Sequence, residues 1–248
     1  MKLFGSIFND VKVGKFLPQN YHGDKYYIHN DGDDEKSYRQ NLLKTPDDWE
    51  YKTKKVKYTT NKNKYRTIEF KKIDWSNSVV LFGCSNVFGV GLNDSDTISY
   101  NLSKLIDRPV INMGNPGTSI EFNFHNNLIL KNHYPTPYAV VNIWPSYIRS
   151  IIYSRHTINN LGPWNVNDTE TEILFKDDYH LRTEGYFHII GAQSLWQTTT
   201  KYIDLTMYSL NKKHYGLEYI DWVDRARDLL HPGSQTSKLV AEYIGTRL

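Results

Sequence analysis

Near the C-terminus, Asp228-Leu229-Leu230-His231-Pro232 sets a carboxylate three residues before an imidazole, with a proline directly after it. A short loop of this kind can aim both side chains at one point, the carboxylate fixing the ring's tautomer and the other ring nitrogen serving as a base. A base needs a nucleophile, and Ser85 offers one. It stands in Val79-Val80-Leu81-Phe82-Gly83-Cys84-Ser85-Asn86-Val87-Phe88-Gly89, where an apolar strand-like run breaks at a glycine and delivers a hydroxyl to the strand's C-terminal end. The combination points to nucleophilic chemistry by a base-activated hydroxyl. Each piece also has a plainer reading: the Asp-x-x-His pair as a surface loop with a local hydrogen bond, and Ser85 as the cap of a strand-to-helix turn.

The elements that would position these residues follow from periodicity and punctuation. Val79–Phe82 reads as a buried strand, Thr97–Ile106 as a helix capped near Asp94 or Ser95, and Pro109–Met113 as a strand closed by Gly114. A helix from about Ser119 to Lys131 and a strand over Tyr138–Trp144 come next. Residues 147–183 are polar, carry Gly162-Pro163 and Asp177-Asp178, and are expected to form a long insertion with little regular structure. A long helix over Glu184–Leu210, a strand over Leu217–Val223 and a last helix over Ser234–Thr246 complete the pattern. Strands separated by helix-length segments make an α/β fold, a three-layer α/β/α sandwich on a mainly parallel, flavodoxin-like sheet. In such sheets ligand-binding loops gather at the C-terminal strand ends, where Ser85 and His231 both fall. Residues 1–75, rich in Tyr, Lys, Asp and Asn, are expected to form an irregular extension packed on a main domain of residues 76–248.

Composition narrows the function classes. Charged residues are 23% and hydrophobic ones 39% of the 248, as in a soluble globular protein, and no run approaches the roughly 20 apolar residues of a membrane span. The N-terminal Met1–Phe8 stretch is cut short by Asn9, Asp10 and Lys12, so no signal peptide is expected, and a cytoplasmic or particle-associated location is the expectation. A net charge of +3 is too mild to argue for nucleic acid as a partner. The lysine- and tyrosine-rich stretch from Lys52 to Lys72 reads as a solvated face or as a docking surface for an anionic partner. With Cys84 the single cysteine, there is neither an internal disulfide nor a thiolate metal cluster. Absence of His-Glu-x-x-His and of a full Gly-x-Gly-x-x-Gly implies no metal and no cofactor.

The ordered set Gly83-Cys84-Ser85, Gly114-Asn115-Pro116-Gly117, Asn142 to Ser146, and Asp228 with His231 resembles the SGNH hydrolases, also called the GDSL esterase family. The resemblance covers about Val79 to Leu248. It implies Ser85 as nucleophile, His231 as base, Asp228 as its partner, and an oxyanion hole from the amides of Ser85 and Gly114. Two departures stand out. Cys84 replaces the aspartate of the usual Gly-Asp-Ser, and the family's Gly-x-Asn-Asp is missing from Val140-Val141-Asn142-Ile143-Trp144-Pro145-Ser146. Asn142 is expected to supply the third oxyanion donor, with Ser146 as the other choice. The resemblance thus implies an esterase that cleaves an O-acyl carbohydrate or a small lipid-like ester, with acyl transfer to an alcohol as a variant. Trp144, Tyr147, His156, Trp164 and His180 could wall a sugar or acyl group, or pack the insertion down. The competing reading is a non-enzymatic binding or assembly protein, virion-associated for instance, on a degenerate version of the same fold.

Overall fold

The computed structural model describes residues 15–17, 23–28, 32–153, 158–165 and 178–248. Its centre is a five-stranded sheet of β1 (Val79–Gly83), β2 (Val110–Gly114), β3 (Ala139–Trp144), β6 (Lys201–Thr206) and β7 (Glu218–Tyr219), ordered β2-β1-β3-β6-β7 and parallel throughout. The order reverses between β1 and β3, so a crevice opens at the C-terminal end of β1. Every residue of β1 and β3 is buried, as the double cover of a parallel sheet requires.

The strands' two faces sort the helices into two layers. Val79, Leu81, Val141, Ile143 and Leu205 pack against α3 (Ile98–Ile106) and α7 (Ser234–Gly245), through Leu102, Val240, Ala241 and Ile244. Their neighbours Val80, Phe82, Val140, Ile111 and Met113 face the other way, onto Leu130 of α4 (Ile120–His133) and Trp196 of α5 (Asp178–Trp196). Thr97 and Ser119 cap α3 and α4 by accepting the amides of Tyr100 at 3.3 Å and Phe122 at 3.2 Å.

Three expectations are corrected. The segment Glu184–Leu210 is not one helix: α5 ends at Trp196, β6 follows, and α6 (Ser209–Tyr215) comes after it. Residues 201–206 alternate faces, Ile203 and Leu205 toward α3 and α7, Tyr202 toward α5, which is a strand's period and not a helix's. The strand read over Leu217–Val223 is confined to Glu218–Tyr219. The 147–183 segment carries an antiparallel hairpin of β4 (Ser150–Tyr153) and β5 (Ile158–Leu161). His156 lies outside the described residues.

Before β1, the chain contains α1 (Glu35–Lys44), capped by Asp34, and it reaches the sheet layers through polar anchors. Leu17 donates to Asn126 Oδ1 at 2.9 Å, and Tyr65 donates its hydroxyl to the Leu17 carbonyl at 2.6 Å. The buried Arg66 spans the carbonyls of Phe88, Gly89 and Leu92 at 3.1, 2.6 and 2.6 Å and the Asp94 carboxylate at 2.8 Å. Among the described residues no helix is long and apolar enough to cross a membrane.

Candidate active site

The Asp228–His231 loop is closed on itself before any ligand is considered. Asp228 Oδ1 accepts the amides of Leu230 and His231, both at 3.1 Å, while Oδ2 meets His231 Nδ1. The amides of Ala226 and Leu229 bond to the carbonyls of His231 and Ala226, both at 2.9 Å. Leu229 takes a left-handed φ of 61° to make this turn, a conformation costing roughly 1–3 kcal/mol that only over-determined surroundings maintain. The Asp228 side chain is fully buried and that of His231 is 11% exposed. With Nδ1 held by the carboxylate, Nε2 becomes the basic nitrogen of the ring.

Ser85 is the first residue of α2 (Ser85–Phe88), directly after β1, and is buried. Its hydroxyl donates to Cys84 Sγ at 3.9 Å and not to His231, and Cys84 Sγ in turn lies 3.5 Å from Tyr208 Oη. What joins the two halves of the site is backbone. Arg227 donates its amide to the carbonyl of Gly91 at 3.3 Å, in the turn that closes α2. Gly91 has φ of 75°, and a Cβ there would come within 2.8 Å of Ala226 Cβ and 3.3 Å of the Asp228 amide nitrogen. The histidine loop and the serine turn are therefore in direct contact, with no room for a side chain between them.

Behind this contact stands a buried strut. Arg227 grips Asp33 through Nε at 2.9 Å and Nη2 at 2.7 Å, with side chains 4% and 0% exposed. Tyr58 donates to Asp33 Oδ2 and accepts the Gly91 amide at 2.7 Å. Burial pushes the Asp33 carboxyl up from its ordinary value, and the bonds from Arg227 pull it back part of the way. Burial likewise acts to lower Arg227, but the Asp33 contact outweighs it and holds the guanidinium above its usual value. With two bonds and opposite charges in contact, we take the pair as ionised at neutral pH. One polar unit from residues 33 and 58 thus supports both the turn after Ser85 and the loop that begins at Arg227.

The residues expected as oxyanion donors fare differently. Gly114 ends β2 against α2, where a Cβ would collide with the Phe88 amide, so the glycine is required by packing. Its N–H is engaged by Asn112 Oδ1 at 2.9 Å, and Asn112 Nδ2 reaches the Val87 carbonyl at 2.8 Å. Asn112 is a residue the sequence reading passed over; its signal was a lone amide inside the apolar run Val110–Met113. The expectation for Asn142 is corrected. It lies two residues short of the end of β3, on the α4 and α5 face, where Asn127 Nδ2 donates to its Oδ1 at 2.9 Å and its own Nδ2 reaches Tyr202 Oη at 3.2 Å. A fully satisfied amide within the helix layer cannot also serve the crevice. Ser146, two residues beyond β3, is buried on the wall of a groove shared with Arg149, Trp164 and Tyr208.

Among the described residues no group of three or more His, Cys, Asp or Glu is placed to hold a metal ion. No family profile and no curated protein matches the chain. Solved structures do match. A lipolytic protein of the G-D-S-L family from Veillonella parvula is 15% identical over 69% of this chain and 99% of its own, with a TM-score of 0.42. The psychrotrophic esterase EstA from Pseudoalteromonas sp. is 11% identical over 69% of this chain and 96% of its own, also at 0.42. AlinE4, an SGNH-hydrolase family esterase, is 13% identical over 60% and 77%, at 0.36. At these values the likeness adds nothing to the strand order and burial already described, and the chemistry rests on the site itself.

Proposed function

We propose that this chain is a serine hydrolase that cleaves an ester through an acyl-enzyme on Ser85. The observation that carries the reading is the buried Asp228–His231 pair in a loop bonded directly to the turn that closes the Ser85 helix. In the reaction Ser85 Oγ attacks the acyl carbon as His231 Nε2 takes its proton, and the alcohol leaves with that proton. Water then attacks the acyl-enzyme, gives its proton to His231, and the acid departs as Ser85 is reprotonated. Asp228 stabilises the imidazolium in both halves. The mechanism requires the Ser85 hydroxyl to leave Cys84 and meet the imidazole, since catalytic hydrogen bonds are often formed fully only once substrate binds.

The developing oxyanion would be met by the Ser85 amide and, once released by Asn112, by the Gly114 amide. Ser146 takes the third place that Asn142 cannot fill. Loss of one such donor slows acyl transfer about 100- to 1000-fold. Hydrolysis of 4-nitrophenyl acetate tests the assignment: Ser85→Ala and His231→Ala should each lower kcat/KM by about 1000-fold or more. Turnover that survives both substitutions would remove the basis for the reading.

A second reading is favoured by three details: the Ser85 hydroxyl turned to Cys84, the Gly114 amide held by Asn112, and the Asn142 amide consumed in the helix layer. On it, the chain is a non-enzymatic binding or assembly protein on this fold. Folded protein without Ser85-dependent esterase activity would select that reading.

A further inference from the structure

A groove of about 370 Å³ is lined by Ser146, Ile148, Arg149, Trp164 and Tyr208, among others, and Tyr208 connects it through Cys84 to Ser85. The link to Ser85 is short: Ser85 Oγ to Cys84 Sγ, Cys84 Sγ to Tyr208 Oη at 3.5 Å, and Tyr208 Oη to Arg149 Nη2 at 3.3 Å. Arg149 lies between two rings, its guanidinium carbon 5.4 Å from the Trp164 centroid and 5.7 Å from that of Tyr208, and Nη1 is directed at the Thr118 carbonyl at 3.4 Å. Trp164, by contrast, is 54% exposed.

A large indole left half in water has one face to offer a ring. An arginine flanked by aromatic planes keeps its fork in a fixed orientation, the arrangement suited to a planar anion. Resting on the esterase reading above, we propose that this groove holds the alcohol part of the ester, and that this part is a sugar ring bearing a carboxylate. Trp164 stacks on the ring and Arg149 pairs with its carboxylate, making both specificity-determining residues. Tyr208, whose hydroxyl meets both Arg149 and Cys84, is the side chain that joins that subsite to the Ser85 turn.

The test is a matched pair of substrates, methyl 3-O-acetyl-glucuronide and methyl 3-O-acetyl-glucoside, followed by acetate release. The wild type should favour the acidic sugar by about tenfold or more in kcat/KM, the factor that a hydrogen bond to a charged group supplies. Arg149→Gln should bring the ratio to about two or less, Arg149→Lys should keep an intermediate, salt-sensitive preference, and Trp164→Ala should lower both substrates together. Equal rates for the two sugars in the wild type, or a preference that survives in Arg149→Gln, would overturn the proposal. A binding measurement separates this from the chemistry. In Ser85→Ala protein, glucuronate should change the tryptophan fluorescence at concentrations where glucose does not, and Trp164→Phe should abolish the change. Binding of glucuronate without hydrolysis would leave the groove assignment standing and refute the esterase; hydrolysis without discrimination would do the reverse.

Discussion

Replacing Asp33 by Asn removes the only formal charge that Arg227 meets in the strut while keeping the shape of the side chain. Both partners are almost wholly out of water, at 4% and 0% exposure, so the guanidinium left behind has neither solvent nor a counter-charge. Breaking such a pair by removing one partner costs about 3–5 kcal/mol, against a total stability of about 5–15 kcal/mol for a typical domain. An exposed ion pair in the same protein supplies the scale. Arg39 and Glu35 meet at 2.5 Å on α1 with side chains 75% and 57% exposed, and such pairs contribute about 0.3–0.5 kcal/mol. Equilibrium urea unfolding near neutral pH, followed by circular dichroism, should show a large fall in midpoint for Asp33→Asn and almost none for Glu35→Gln. Tyr58→Phe, which takes the acceptor from the Gly91 amide, should couple to Asp33→Asn, so that the double variant loses less than the two single losses added. An Asp33→Asn cost below about 1 kcal/mol, in the range of the surface pair, would refute the claim that this strut holds the serine turn to the histidine loop.

Other perturbations have equally definite outcomes. Burial, and then the charge of Glu184, push the Glu121 carboxyl from 4.5 up to about 7. Between those values the folded protein keeps a proton that the unfolded chain has lost, so stability falls as pH rises, by about 3 kcal/mol across the window. Glu121→Gln should therefore raise the melting temperature near pH 8 and leave it almost unchanged near pH 4.5; an equal change at both would contradict the burial of this carboxyl. Asn142→Leu removes the bonds that Asn142 makes with Asn127 Nδ2 and Tyr202 Oη and should destabilise by about 1–3 kcal/mol, yet it should change kcat/KM of the folded fraction less than about threefold. A loss of 100-fold or more would return Asn142 to the oxyanion hole. Cys84, buried beneath Ser85, should resist iodoacetamide in the native protein and react only on unfolding.

The parts legible in the sequence are those whose causes are local. Val79–Phe82, the helix starts near Thr97 and Ser119, and Ser234–Gly245 show themselves through apolar runs and period, although the cap of α3 is Thr97 itself and not Asp94 or Ser95. Asp228 and His231 interact across three residues, so their partnership is also visible in the spacing. The helix α1 was missed because most of its residues are polar, with Asn41 its one buried residue, and no continuous apolar stripe marks it. The strand β6 was hidden because Thr198-Thr199-Thr200 separates it from α5 without a glycine or proline. The partner of Arg227 lies 194 residues away at Asp33, inside what reads as a plain turn cluster, and only the tertiary fold joins them. Asn142 shows the converse: an amide in the expected block is turned aside by Asn127 and Tyr202, neighbours that no local pattern could name.

On the proposed mechanism Ser85 is a nucleophile activated by His231. Intact mass after exposure of folded protein to a fluorophosphonate tests it most directly. A single adduct should map to Ser85, be absent from Ser85→Ala, and form about 100-fold or more slowly in His231→Ala. Folded wild type that stays unlabelled, or an adduct on any other residue, would contradict it.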